Sequence, residues 1–436
     1  MMKRSIVIKA LTITLLSGMT AGCGGGASPD AEGKTAKEID FNAPLEFTLT
    51  SSGATSPENF QLAVTQFLQK KFPNWKFNYI QRTQGTTAQE LVTAGTAIDV
   101  VLEAHTGIID GVINPGIQYD ITDLIKKNNI DLNRFEPVTI DAMKTMANGQ
   151  IWGLPVSMMS VVTFYNKDIF DKFGVPYPKD GMTWDEMTEL SKKLSKEVDG
   201  TQYLGLVGNT GHMLLMNNFS LPYVDAQTSK STFHNEKWKT IMETVFKGEA
   251  QDSGFKKYLT DNKNKMPGKD EFIKKKNLAM YVYFSELATD PNMQGMNFDM
   301  VSAPTYKELP NVGFQPIPTY AILASTSKHK EESMEIIKYL ASDEYQMARA
   351  KLGFITPLKS EEVRKSMGAD YSKKLNWNAV FYKPFAPIPV KGAYENIGEK
   401  PLVSLVPDYV LGNKDVNTVM REAEETANKA IDSARK

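Results

Sequence analysis

Four histidines, His105, His212, His234 and His329, are scattered through the 436 residues at no spacing that would hold a metal. The single cysteine, Cys23, excludes an internal disulfide framework and any cysteine-rich metal centre. No Gly-x-Ser-x-Gly elbow, His-Glu-x-x-His pair or phosphate-cradling loop occurs, so nucleophilic, zinc-hydrolytic and phosphoryl-transfer chemistry have no sequence carrier. Paired carboxylates for glycoside hydrolysis are not excluded by number, since Asp and Glu total 51. What the chain offers more plainly is binding chemistry at the ends of strand-like runs. Ser51, Ser52 and Thr55 follow the first run, Gln84 and Thr86 the second, and Glu103, His105 and Thr106 the third. Trp152 and Met158 flank Pro155-Val156, Phe284 and Glu286 lie at and just after another run, and Gln315 and Tyr320 flank Pro316. Amides, carboxylates and hydroxyls donate and accept hydrogen bonds, and aromatic rings offer flat apolar faces.

Those side chains need a scaffold. Leu45–Thr50 alternates like a strand, Pro57 opens a helical pattern, and Trp75–Ile80 is a second strand. Residues 86–93 read as a helix closed by Gly95, and 98–102 (IDVVL) as a strand buried on both faces. Strand, helix, strand, helix, strand predicts a parallel α/β layer. The alternation resumes with strands at 161–165, 278–283 and 319–324 and helices at 168–173, 183–196, 330–340 and 417–434. Thr183 with Glu186 predicts a capping box, and Val419, Met420, Ala423, Ala427, Ala430 and Ile431 fall on one helical face. Trp75 and Trp184 read as core anchors. Trp377 and Phe385, near Pro384, Pro387 and Pro389, either line a cleft or cover the surface. In α/β layers ligands sit beyond the carboxyl ends of strands, which is why the candidates are taken there.

The first residues read as an address. Lys3, Arg4 and Lys9 precede an apolar run, 10–21, that is too short to span a bilayer but suited to secretion. Thr20-Ala21-Gly22-Cys23 resembles the bacterial lipobox, with Thr20 where leucine is usual, and the resemblance implies a lipid on Cys23. Residues 1–22 would be a signal peptide and 23–43 a flexible tether rich in Gly, Ser and charge. Lys+Arg of 50 against Asp+Glu of 51 gives a net charge of −1, which excludes a bulk attraction to nucleic acid or acidic lipid.

An ordered block carries a second resemblance. Residues 148–156 (NGQIWGLPV), 161–168 (VVTFYNKD) and Thr183-Trp184-Asp185-Glu186 closely resemble the signature of the extracellular solute-binding proteins of ABC importers, in the sugar-binding group that includes maltose-binding protein. Ala94-Gly95 with 98–101, 119–124 (YDITDL), 272–280, 341–346 (ASDEYQ) and 353–357 (GFITP) fit that family's later segments in order.

The resemblance implies an α/β fold of two lobes, of the type II periplasmic-binding-protein kind, each a mixed sheet flanked by helices and joined by a hinge. Lobe 1 would comprise 44–155 plus 316–354 and lobe 2 156–313 plus 357–436, with crossings at Pro155-Val156, Gly313 to Pro316 and Thr356-Pro357. It implies a monomeric, non-catalytic subunit on the outer face of the cell membrane, with neither cofactor nor metal. That subunit would capture a sugar or oligosaccharide by hinge closure and hand it to importer permease subunits. Ser51, Ser52, Gln84, Glu103, His105, Trp152, Met158, Phe284, Glu286, Gln315 and Tyr320 are the expected ligand contacts. The alternatives are a ligand-presenting sensor lipoprotein of the same fold and a secreted glycoside-acting enzyme.

Overall fold

The computed structural model describes residues 39–51 and 55–435. Cys23, the expected signal peptide, residues 23–38 of the expected tether and Ser52 lie outside the described residues. The chain from Phe41 onward packs as one body. Phe41, inside the expected tether, is already part of it: its ring stacks on Phe72 and Trp75 with centroids 6.2 and 5.7 Å away.

Ten strands occur among the described residues: β1 (Leu45–Ser51), β2 (Trp75–Ile80), β3 (Val100–Ala104), β4 (Gly153–Met159), β5 (Val161–Asn166), β6 (Lys196–Val198), β7 (Thr201–Gly208), β8 (Leu278–Phe284), β9 (Phe298–Ser302) and β10 (Ile317–Leu323). They form two five-stranded sheets, ordered β2-β1-β3-β10-β4 and β6-β7-β8-β5-β9. β1 pairs parallel with both β2 and β3. β10 runs antiparallel between β3 and β4, so the expected parallel layer is mixed. In the second sheet β7 and β8 are parallel, while β5 opposes both β8 and β9.

β3 and β5 are buried along almost their whole length, on both faces, as expected for interior strands of covered sheets. Trp75 and Trp184 are core anchors, each 1% exposed. The capping box at Thr183 forms as its spacing predicts, and a second one, Thr87 with Glu90, opens the helix Ala88–Thr93. Helix Val416–Ala434 buries Val419, Met420, Ala423, Ala427 and Ile431 and packs on helix Glu395–Leu411.

The expected second crossing, Gly313 to Pro316, lies in the segment between β9 and β10, while the other two expected crossings lie in or beside the first sheet. Pro155 and Val156 lie inside β4, an edge strand where a proline removes no needed ladder bond. The chain passes to the second sheet at Ser160 and returns between Ser302 and Ile317. Leu358 and Lys359 still pair with Phe135 and Arg134 beside the first sheet. By Tyr371 the chain is bonded to the second lobe instead, its hydroxyl donating to the Ala288 carbonyl at 2.5 Å.

Candidate functional site

The carboxyl ends of β1, β2 and β3 all point the same way, so the turns after them share one edge of the first sheet. Ser51 ends β1 there and exchanges a 2.9 Å hydrogen bond with the Tyr79 hydroxyl, which also donates to the Thr55 carbonyl at 2.8 Å. Arg82, two residues past β2, reaches across β1 to form an ion pair with Glu103 on β3. Gly107 and Gly111 leave the room that this carboxylate fills; a Cβ at either would collide with it. Burial pushes the Glu103 carboxyl up to about 7 against the pull of Arg82, and its Oε1 has no hydrogen-bond partner. His105, just past β3, is 3% exposed. Burial, helped by the Lys391 ammonium, lowers its pKa to about 3, so the ring is neutral. The Pro389 carbonyl lies beside it, yet neither ring nitrogen makes a well-formed bond among the described residues.

The second sheet presents rings rather than ion pairs. Its parallel strands β7 and β8 end at Gly208 and Phe284, and Asn209 caps the helix Thr210–Leu215 that follows β7. His212 on that helix lies 3.9 Å from the Phe284 ring and 4.7 Å from Tyr283, centroid to centroid. Tyr283 stacks in turn on Tyr281 at 5.0 Å, the two sharing one face of β8 by their two-residue spacing. Burial lowers the His212 pKa to about 4, leaving a neutral ring whose Nδ1 is unpartnered, like the nearby Thr210 hydroxyl. A cavity of about 380 Å³ opens between Asn209, Thr210, Gly268, Lys269, Tyr281 and Tyr283, a volume within the range of small-molecule sites. Glu286, just past β8, has its pKa pushed up to about 7 by burial and faces the Arg349 guanidinium, which lies over the Phe354 ring at 3.6 Å.

The two edges meet at an internal cavity of about 10 Å³, the size of one water. His105, Thr106 and Ile317 line it from the first sheet, Leu215 and Met216 from the second, and Ile388 and Lys391 from the proline-rich segment. That segment is strapped along the return crossing: Gly313 donates to the Pro384 carbonyl at 2.8 Å and Ser220 to that of Pro387 at 2.7 Å. Gln315 donates its amide to the Asn217 carbonyl at 2.8 Å, tying the crossing to the second lobe while also lining the cavity. Larger depressions of about 500 and 770 Å³ lie on the flank of the first sheet, the first around Phe41, Phe72 and Tyr339 and the second along helix residues 57–70 and β2.

Of the expected residues, the structure brings His105 and Gln315 together at the interlobe cavity. Phe284 and Glu286 stand at the matching edge of the second sheet. Ser51 and Glu103 stand at the first, already engaged by Tyr79 and Arg82. Gln84 is exposed in the turn after β2. Trp152 is remote: it precedes β4, which runs alongside β3 in the same sense, so it lies at the far end of the sheet with its indole donating to Gln150 at 3.0 Å. Met158 and Tyr320 are wholly buried, and the Tyr320 hydroxyl donates to the Thr139 carbonyl at 2.6 Å. Trp377 is buried against Gly353 and Gly368.

Several groups at these edges were not singled out from sequence. Arg82 follows a strand that was read correctly and needed only one more step. His212 and Thr210 follow β7, a strand whose Gly205 and Gly208 blur its alternation. Lys391 and Arg349 carry no local signal at all. No cluster of three or more metal-ligating side chains occurs among the described residues.

A family model described as bacterial extracellular solute-binding protein matches residues 51–347. An arabinooligosaccharide-binding protein of Bacillus subtilis is 29% identical over 206 residues, covering 45% of this chain and 43% of that protein. A periplasmic sn-glycerol-3-phosphate-binding protein of Agrobacterium fabrum is 28% identical over 123 residues, 28% of each chain. These matches therefore span less than half the length of the curated relatives. Among solved structures, an ABC substrate-binding protein of Listeria monocytogenes in complex with cycloalternan superposes with a TM-score of 0.70 at 19% identity. It covers 89% of this chain and all of that one, a likeness of fold.

Proposed function

This chain belongs to the bacterial extracellular solute-binding proteins, and from that premise we propose that it captures a carbohydrate, an oligosaccharide, between its two lobes by hinge closure. The relatives are binding proteins and not enzymes. The observation that carries the reading is that Glu103, His105, Thr210 and His212, at the strand ends of both sheets, each hold a buried polar atom without a partner among the described residues, beside rings and a cavity. Other unpartnered atoms, such as the Trp75 and Trp184 indole nitrogens, lie in the cores. Buried donors and acceptors left without partners cost free energy, and a ligand rich in hydroxyls removes that cost when the lobes close on it. The ladder of His212, Phe284, Tyr283 and Tyr281 supplies flat faces for the C–H side of a sugar ring.

The lobes of this proposal follow the sheets, with the hinge at Ser160, at the 303–316 return and after helix Glu361–Lys365. The proposal also includes a lipid on Cys23 that holds the protein at the outer face of the membrane, and delivery to importer permeases. No helix among the described residues is long and apolar enough to cross a membrane.

The test is a thermal-shift screen of mono- and oligosaccharides followed by small-angle scattering. A ligand at 100 times its Kd should stabilise the protein by ~2.7 kcal/mol, and the same ligand should change the scattering radius as the hinge equilibrium shifts. A saccharide that raises Tm without altering the radius would remove hinge closure from the account. Cys23→Ala should release the protein from membranes, and retention would remove the anchor.

A further inference from the structure

Arg82 is paired with Glu103, and Arg349 faces Glu286. The third cation, Lys391, arrives from the proline-rich segment and lines the interlobe cavity opposite His105. No hydrogen bond or ion pair within bonding distance engages its ammonium among the described residues. Two carboxylates stand behind it on helix Glu395–Leu411, Glu395 and Glu399. Glu395 is anchored by the backbone N–H groups of Tyr223 and Val224, which donate to it at 2.9 and 3.0 Å. Glu399 faces the Gly211 backbone beside Asn209, so this group of charges extends from the interlobe cavity to the end of β7.

We propose, on the reading that this is the solute site, that Lys391 is a specificity-determining residue and that it restricts the cleft to uncharged saccharides. Lys391 lines a cavity whose other polar side chains are the neutral His105 imidazole, the Gln315 amide and the Thr106 hydroxyl, and its ammonium brings three N–H donors. A sugar hydroxyl accepts from the ammonium and can donate onward to imidazole or carboxylate, so both of its roles are used. The ionised group of a uronate or a phosphate ester only accepts and brings negative charge. It would meet Glu395 and Glu399 behind the single ammonium, with Arg82 and Arg349 already facing carboxylates of their own. Burial lowers the pKa of Lys391 against the pull of Glu395 and Glu399, and an acceptor oxygen from the ligand would offset that desolvation.

The experiment uses the full soluble body and named probes: arabinotriose, maltotriose and mannotriose as neutral saccharides, digalacturonate and sn-glycerol 3-phosphate as anions. At least one trisaccharide should raise Tm, and neither anion should bind more tightly than it. Lys391→Met should weaken the bound trisaccharide roughly tenfold or more, the loss of one charge-assisted hydrogen bond, with the unliganded Tm close to the parent's. Lys391→Gln answers the same question should the methionine variant fail to fold. An anion that binds more tightly than every trisaccharide overturns the proposal and leaves solute capture standing. Undiminished trisaccharide affinity in both Lys391 variants does the same. If no probe of either kind shifts Tm, the sugar-capture reading falls, and this proposal falls with it.

Discussion

The two sheets are built alike, five strands each with one late strand or hairpin partner completing a mixed order, yet their strand ends are chemically unlike. The first sheet's edge carries an internal ion pair, Arg82 with Glu103, enclosed by the 107–111 turn, and a neutral histidine beside it. The second sheet's edge carries rings, with a second neutral histidine packed into them. On the proposed function, the first lobe would offer donors and acceptors and the second ring area. A ligand with hydroxyls on its rim and C–H groups on its face would then engage both only when the lobes approach, and closure would have a thermodynamic reason.

The largest expected effect breaks the comparison at its polar half. Arg82→Met leaves the Glu103 carboxylate buried and alone, at a cost of about 3 kcal/mol measured by urea denaturation. Adding Glu103→Gln should recover most of that loss, because both charges are then gone. No mutation of the aromatic edge should show this mutual rescue.

Next comes pH. His105 has a folded pKa of about 3 against an ordinary 6.5, so the unfolded chain binds its proton first. Its contribution is intact above pH 6.5 and is lost as pH falls toward 3, at up to about 1.4 kcal/mol per pH unit. His212, at about 4, acts in the same direction from the other lobe. Glu103 acts oppositely: raised from 4.5 to about 7, it favours the folded state below pH 4.5 and that contribution is lost as pH rises through 7. His105→Phe should therefore flatten the acid limb of the stability profile, and Glu103→Gln with Arg82→Met the neutral one.

A smaller effect separates the halves functionally. Phe284→Ala removes the ring against His212 and should cost about 1 kcal/mol of stability, while lowering affinity for the captured saccharide several-fold by titration calorimetry. The smallest effects are a control on symmetry. Thr87→Ala in the first lobe and Thr183→Ala in the second remove the same capping box, and each should cost about 1 kcal/mol. Unequal losses would show that one lobe's helices lean more heavily on tertiary contacts.

Much of the scaffold was legible because its signals are local. Trp75–Ile80 and Lys330–Leu340 are read from sequence with the ends that the structure gives them, since alternation and a 3.6-residue stripe need no knowledge of distant chain. β7 escaped because two glycines interrupt its pattern, and with it went Thr210 and His212. The crossing at Pro155-Val156 was taken from the order of the family's segments, and Pro155 in fact lies inside β4, an edge strand where proline is tolerated. Trp152 was placed at the cleft because it flanks that expected crossing. Which end of a strand faces the cleft depends on that strand's direction in the sheet, and direction is set by pairing with β10, about 165 residues further on.

The sequence by itself determined the types and approximate limits of the main elements, the absence of carriers for common catalytic chemistry, and the ordered segments that mark the family. Hydrophobic period, capping residues and short motifs act within one or two turns of chain, so they can be read in one dimension. Only the tertiary structure decided which polar groups share a space: Arg82 with Glu103, Arg349 with Glu286, and His105 with a lysine 286 positions away, counted as 391 − 105. Those partnerships arise where strand ends from two sheets and a returning strap converge, and electrostatic energy depends on distance through space, which spacing along the chain does not encode.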